Sequence, residues 1–175
     1  PSVLKLGAIY RSGLIQEDDD RVAALLVSFT NVIRDYQTPP NKSLSWDLDK
    51  YLRLQVQHLV DCRPHCIGMG NLIKQLRYFI SNIPPDTNEA IAKKDILERL
   101  HSFFEDRIQF ARENIGNLVT NVIHDNDVIL TFGSTPLLRK VLLMAAAKKN
   151  FRLIIVDSRP LNNSLKTLRA LSPHV

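Results

Sequence analysis

The sequence predicts a helical bundle followed by the opening of a parallel α/β domain. Up to Asp125 its apolar residues recur at i, i+3, i+4 and i+7, the period of amphipathic helices. Beyond Asn126 two short β-branched runs appear, each leading into a helical pattern. Proline breaks separate the periodic stretches, where the chain must turn. The expected domains are 1–125, helical, and 126–175, the first β-α-β-α part of a C-terminal α/β domain.

Val22, Leu25, Leu26, Phe29, Val32, Ile33 and Tyr36 mark one helix, preceded by the acidic run Glu17 to Asp20, which suits the positive end of a helix dipole. Thr38-Pro39-Pro40-Asn41 stops it, and Asn41 or Ser43 can cap the next. That helix sets Leu44, Leu48, Leu52, Val56 and Leu59 in one stripe, until Pro64, without an amide donor, interrupts it. A further helix carries Leu72, Ile73, Leu76, Phe79 and Ile80, and Pro84-Pro85-Asp86 is a loop. The longest periodic stretch, over 90–124, predicts one continuous helix with Ile96, Leu100, Phe104, Ile108, Ile115, Leu118, Val119 and Val122 on its apolar face. Gly116 inside it either admits a close neighbour or is simply tolerated.

In the last third the pattern predicts a strand over 127–132, a helix over 136–149, a strand over 151–156 and a helix over 163–171. Ser134 or Thr135 is the expected cap and Pro136 suits the first helical position. This is the start of a Rossmann-like, doubly wound sheet. Two parallel strands leave faces and edges uncovered. The α/β part is therefore expected to be incomplete, with more chain or another subunit supplying the cover.

Of the 175 residues 45% are apolar and 23% charged, which excludes a disordered chain, a collagen-like repeat and a disulfide scaffold. No apolar run reaches the ~18 residues that span a bilayer, so no membrane role is expected. The opening segment lacks an apolar signal-peptide core, and with no initiator Met the chain is expected to be processed or cut from something longer. The cysteines Cys62 and Cys66 suggest a reducing compartment.

The net charge of +5 is uneven: residues 1–60 are neutral, 61–125 carry −1 and 126–175 carry +6. A basic third suits a nucleic acid, an acidic protein partner or a merely solvated face. Its cations are spread over helices, a strand and a loop without exposed aromatics among them, so nucleic-acid binding is not expected.

The turn Phe132-Gly133-Ser134-Thr135-Pro136 stands where open α/β sheets bind ligands. With one glycine it satisfies neither G-x-G-x-x-G nor the P-loop pattern, which favours a plain strand-to-helix cap and no nucleotide cofactor, with an anion or sugar phosphate as the alternative. Asp157 ends the second strand, where dinucleotide folds bind a ribose hydroxyl, while Arg159-Pro160 can pin the loop or serve an interface. His58, Cys62, His65 and Cys66 are possible zinc ligands, but their spacing matches no common structural pattern; two buried thiols and two surface imidazoles fit better. No metal and no catalytic pair is expected from spacing.

Asp35-Tyr36-Gln37-Thr38-Pro39-Pro40-Asn41 comes first, then Cys62-Arg63-Pro64 with Met69 and Asn71. The run from Asp127 to Gly133 and then Val156-Asp157-Ser158-Arg159-Pro160 follow in order. Together, over nearly the whole chain, they resemble the alpha/beta/delta regulatory-subunit family of eukaryotic translation initiation factor 2B. The D-Y-x-T-P-P-N segment points to its delta members. The resemblance implies a helical bundle joined to a Rossmann-like domain, of which this chain holds only the first part.

The resemblance also implies a non-catalytic, cytoplasmic regulatory subunit without a cofactor. Its partners would be the alpha, beta, gamma and epsilon subunits and initiation factor 2, whose phosphorylated alpha subunit it would sense. Exchange catalysis itself would belong to epsilon. Substrate contacts are expected on the long helix at Asp106, Arg107, Phe110 and Glu113, with assembly contacts at Asp157, Ser158, Arg159 and Pro160. The plainer reading is that Phe110 is core and the charges are solvated.

The family is related to sugar-phosphate isomerases, and an isomerase or sugar-phosphate-binding homologue is the alternative. Those enzymes carry a catalytic Cys where this sequence has Gly133, and their catalytic Asp would fall beyond Val175. Their Arg-Gly-Ala motif has no clear match from Asp19 to Ala24, and their R-P-T-A motif survives only as Arg63-Pro64. The scaffold is read as retained and the chemistry as lost.

Overall fold

The computed structural model describes residues 2–157, 162 and 164–172. The chain divides into two units, Pro1–Asp106 and Arg107–Val175. The division between units and the change of periodicity at Asp125 fall at different places, because the helix before Asp125 packs with the α/β elements after it.

The first unit contains α1 (Ser2–Ser12), α2 (Asp18–Asp35), α3 (Leu44–Cys62), α4 (Ile67–Ser81) and α5 (Glu89–Phe104). Helix α1 packs on α2 and α3, α2 on α4 and α5, and α4 on α3 and α5. Their apolar stripes meet in one core, with Phe29, Leu25, Ile33, Leu48, Leu72 and Ile96 fully buried. The stops expected from proline hold: α2 ends before Thr38-Pro39-Pro40, and extended Arg63 closes α3 ahead of Pro64. Asp18, Asp19 and Asp20 lie within the first turn of α2 rather than ahead of it. Asn88 caps α5, its side chain accepting from the Ala90 amide at 2.9 Å.

Helix α1 was not anticipated. Its Val3, Leu6 and Tyr10 follow helical spacing and are buried. The Tyr10 hydroxyl donates to the Arg21 carbonyl at 2.7 Å, and the Arg21 guanidinium lies 5.3 Å from the Tyr10 ring centre. Arg21 is itself buried and donates to the Pro64 carbonyl and, at 3.4 Å, to Asp18. Arg63 donates to the Ile15 carbonyl at 2.8 Å. These bonds tie the start of α2 to the loop between α3 and α4.

The continuous helix expected over 90–124 is broken in type. A π turn, Glu105–Phe110, separates α5 from α6 (Ala111–Val122). Its i→i+5 bonds take one residue more per ring than an α turn, which shifts the phase of every residue that follows. Burial differs on the two sides of this turn: Ile96, Leu100 and Phe104 are buried, but Ile115, Leu118, Val119 and Val122 are exposed. The buried residues of α6 are Gly116 and Thr120.

The second unit has parallel strands β1 (Val128–Phe132) and β2 (Arg152–Val156), in register from Val128 opposite Arg152 to Phe132 opposite Val156. Helices α7 (Pro136–Ala146) and α8 (Ser164–Leu171) complete it, α7 ending short of the expected Lys149. Ile129 and Leu153 pack into a core with Ile123, Leu142, Ala145, Phe151 and Leu171. The alternate residues Val128, Leu130, Phe132, Ile154 and Val156 are exposed on the other face. Among the described residues no helix is long and apolar enough to cross a membrane.

Candidate functional site

Asp106, Arg107 and Phe110 lie on the π turn, and Glu113 lies in the first turn of α6. All four are exposed, Phe110 at 56%. Unbroken α-helical spacing would set Asp106, Phe110 and Glu113 on one face with Arg107 at its border, and the π turn does not keep that spacing. Asp106 ends the first unit and Arg107 opens the second. Phe110 is not core, and a bulky aromatic in water is a feature enriched at interfaces.

Gly116 does admit a close neighbour. A Cβ at this position would meet the Met144 sulfur of α7 at 2.9 Å. Thr120 donates to the Gly116 carbonyl at 2.7 Å, so its hydroxyl is satisfied inside α6 and the buried side stays flat.

The turn after β1 is committed to structure. Gly133 has φ +69°, a left-handed conformation that a residue with a Cβ rarely adopts. Its amide donates to the Val156 carbonyl at 2.8 Å. Thr135 is the cap of α7, its hydroxyl accepting from the Leu138 amide at 3.1 Å. Ser134 instead hydrogen-bonds the hydroxyl of Thr167 on α8. No thiol, carboxylate or imidazole belongs to this turn.

Asp157 accepts from the Ser164 amide at 3.2 Å, at the start of α8. The expected assembly residues Ser158, Arg159 and Pro160 lie outside the described residues.

The thiols correct the expectation of burial: Cys62 and Cys66 are both half-buried, and so is His58, while His65 is exposed. The Cys62 sulfur lies 3.8 Å from His58 Nε2 and from an Arg11 guanidinium nitrogen, at the α1–α3 border rather than in the core. Although the residue is exposed overall, partial desolvation of its ring, and then the Arg21 charge, hold the His65 imidazole below its usual pKa. Among the described residues no group of three or more His, Cys, Asp or Glu is placed to hold a metal ion.

Helices followed by a parallel β-α-β-α unit, with a glycine turn closed by its own hydrogen bonds, define a two-part protein of α plus α/β architecture. The profile of the Initiation factor 2 subunit family matches residues 15–174, and the chain belongs to that family. It is 37% identical to the translation initiation factor eIF2B delta subunit of Schizosaccharomyces pombe, over 99% of this chain and 38% of that protein. The crystal structure of eIF2B delta from Chaetomium thermophilum superposes with a TM-score of 0.95 at 30% identity, over 99% of this chain and 65% of that one. The tetrameric eIF2B beta2-delta2 complex of the same organism contains a chain matched with a TM-score of 0.94 at 30% identity, over 99% of this chain and 56% of that one. The chain thus spans less than two thirds of each relative.

Proposed function

We propose that this chain is part of a delta-type, non-catalytic regulatory subunit of the guanine-nucleotide exchange factor for initiation factor 2. The observation that carries the reading is the likeness to delta subunits along 99% of the chain, in sequence and in fold. Its partners in this reading are the alpha, beta, gamma and epsilon subunits, and the crystallised beta–delta tetramer of a relative supports the beta pairing. The Rossmann-like domain would be completed outside these residues, and Asp157 to Pro160 would serve assembly. The protein works in the cytoplasm and senses the phosphorylated alpha subunit of initiation factor 2.

Two features support a regulatory rather than an isomerase role. Gly133 supplies no thiol or proton at the turn where the related isomerases carry their catalytic Cys. Arg21, a cation of the helical unit, is buried against Tyr10 and the Pro64 carbonyl rather than offered to an anionic substrate. Asp106, Arg107, Phe110 and Glu113 are the proposed substrate contacts, and the exposure of each is what supports them.

The test is Asp106→Lys in the assembled complex, with exchange measured on unphosphorylated substrate in the presence and absence of phosphorylated substrate. Basal exchange is expected to persist and inhibition to weaken. Normal exchange with full inhibition would place the sensing surface elsewhere.

A further inference from the structure

A cleft of about 720 Å³ opens along α3 and α4, inside the helical unit. Trp46, Asp49 and Arg53 line it from α3, and Lys74, Arg77 and Tyr78 from α4. The spacings i, i+3, i+7 and i, i+3, i+4 explain why each trio shares a face. Asp49 holds both guanidiniums: its Oδ2 accepts from Arg53 Nε at 2.8 Å and lies 2.7 Å from Arg53 Nη2, and its Oδ1 accepts from Arg77 Nε at 2.8 Å. Burial pushes the Asp49 carboxyl up, but the bonds from Arg77 and Arg53 prevail and hold it below its usual pKa. One fixed negative charge thus orients two cations and neutralises one.

The remaining positive charge is unspent. Among the described residues Lys74 has no ion-pair or hydrogen-bond partner, and the two terminal nitrogens of Arg77 donate to nothing. Both aromatic rings are open to solvent, Trp46 at 61% and Tyr78 at 60%. The Lys50 ammonium lies 5.3 Å from the Trp46 ring centre and adds a further cation at the rim. Exposed Trp and Tyr beside Arg are the residue types that anchor protein interfaces, because they offer large area at small entropy cost.

We propose that this cleft docks a short acidic segment of a partner protein, with carboxylates on Arg77 and Lys74 and apolar atoms against Trp46 and Tyr78. Carboxylates match the guanidinium fork. A nucleic acid fits less well, because the unit that holds the cleft carries 13 basic and 14 acidic residues and so has no net positive field to gather a polyanion. The cleft uses none of the residues proposed to meet the substrate, so its failure would leave that reading intact.

Trp46 is the only tryptophan in the chain, so its fluorescence reports directly on the cleft. The protein is titrated with a short peptide of alternating Glu and Ser, with its Lys/Ser counterpart, and with oligo-uridine of matched length. The Glu peptide is expected to change Trp46 emission saturably and the Lys peptide to leave it unchanged. Arg77→Ala should weaken the Glu peptide about tenfold, the scale of one lost charge-assisted hydrogen bond. Lys74→Glu, which leaves the Asp49 pairing untouched, should abolish binding with an unchanged circular dichroism spectrum. No saturable response to the Glu peptide, equal affinity in Lys74→Glu, or tighter binding of oligo-uridine would each overturn the proposal.

Discussion

Tyr36 donates its phenolic proton to Asp47, and Lys42 donates to the other Asp47 oxygen at 2.8 Å. The bonds from Lys42 and Tyr36 hold the Asp47 carboxyl below its usual range. A depressed carboxylate stabilises the fold above the unfolded pKa of about 3.9 and loses that contribution as pH falls below it. Urea midpoints are therefore expected to drop as pH falls below about 4, and Asp47→Asn to flatten that limb. An acid limb unchanged in Asp47→Asn would show that other carboxylates govern it. Tyr10 behaves oppositely. Burial pushes its pKa up to about 12, so its contribution is intact below the unfolded value and lost as pH climbs from about 10 towards 12. Tyr10→Phe removes the bond to the Arg21 carbonyl, at a cost of about 1 kcal/mol near neutrality. Denaturant titration at pH 7 and pH 11 checks both the cost and a shallower alkaline loss.

At the scale of elements, α6 and α7 meet through the small side of α6, where Gly116 faces Met144. Gly116→Leu forces a branched side chain into that contact and is expected to cost about 1–3 kcal/mol. Gly116→Ala should cost far less, because Met144 is flexible at its sulfur and alanine gains about 1 kcal/mol of helix propensity. Thermal unfolding of the two variants side by side tests this, and equal losses would refute it. The same helix marks the limit of what sequence can tell. The stripes of α2, α3 and α4 were legible because their period never changed. The stop at Pro64 was legible because proline has no amide to donate, and the cap was legible as far as Ser134 or Thr135, the choice between them resting on which hydroxyl meets Leu138. Helix α1 shows the same spacing in Val3, Leu6 and Tyr10, but over 11 residues only. The exposed face of Ile115, Leu118 and Val122 was not legible, since helical spacing shows that they share a face and not what covers it. Nor was the α3/α4 cleft, because Arg53 and Arg77 lie 24 positions apart and meet only through Asp49.

For the whole molecule, the bare sheet face is the feature with the largest physical consequence. Leu130, Phe132, Ile154 and Val156 form an apolar surface in water, with Phe132 77% exposed. The 175-residue chain is expected to self-associate with rising concentration, and Phe132→Lys to shift it towards monomer. Sedimentation velocity over a concentration series reads this directly. A concentration-independent monomer for the parent chain would count against it.

The same surface sets a clock on biosynthesis. The helical unit leaves the ribosome before β1 and can pack while later residues are still being joined. Strands β1 and β2 can pair only once β2 has followed α7 out, and their outer face is then in water. At ~5–20 residues per second, a cover made a hundred residues later arrives ~5–20 s after β2, and a cover from another polypeptide arrives at a rate set by its concentration. Slow codons or a scarce partner would lengthen that interval without altering a single contact in the finished protein.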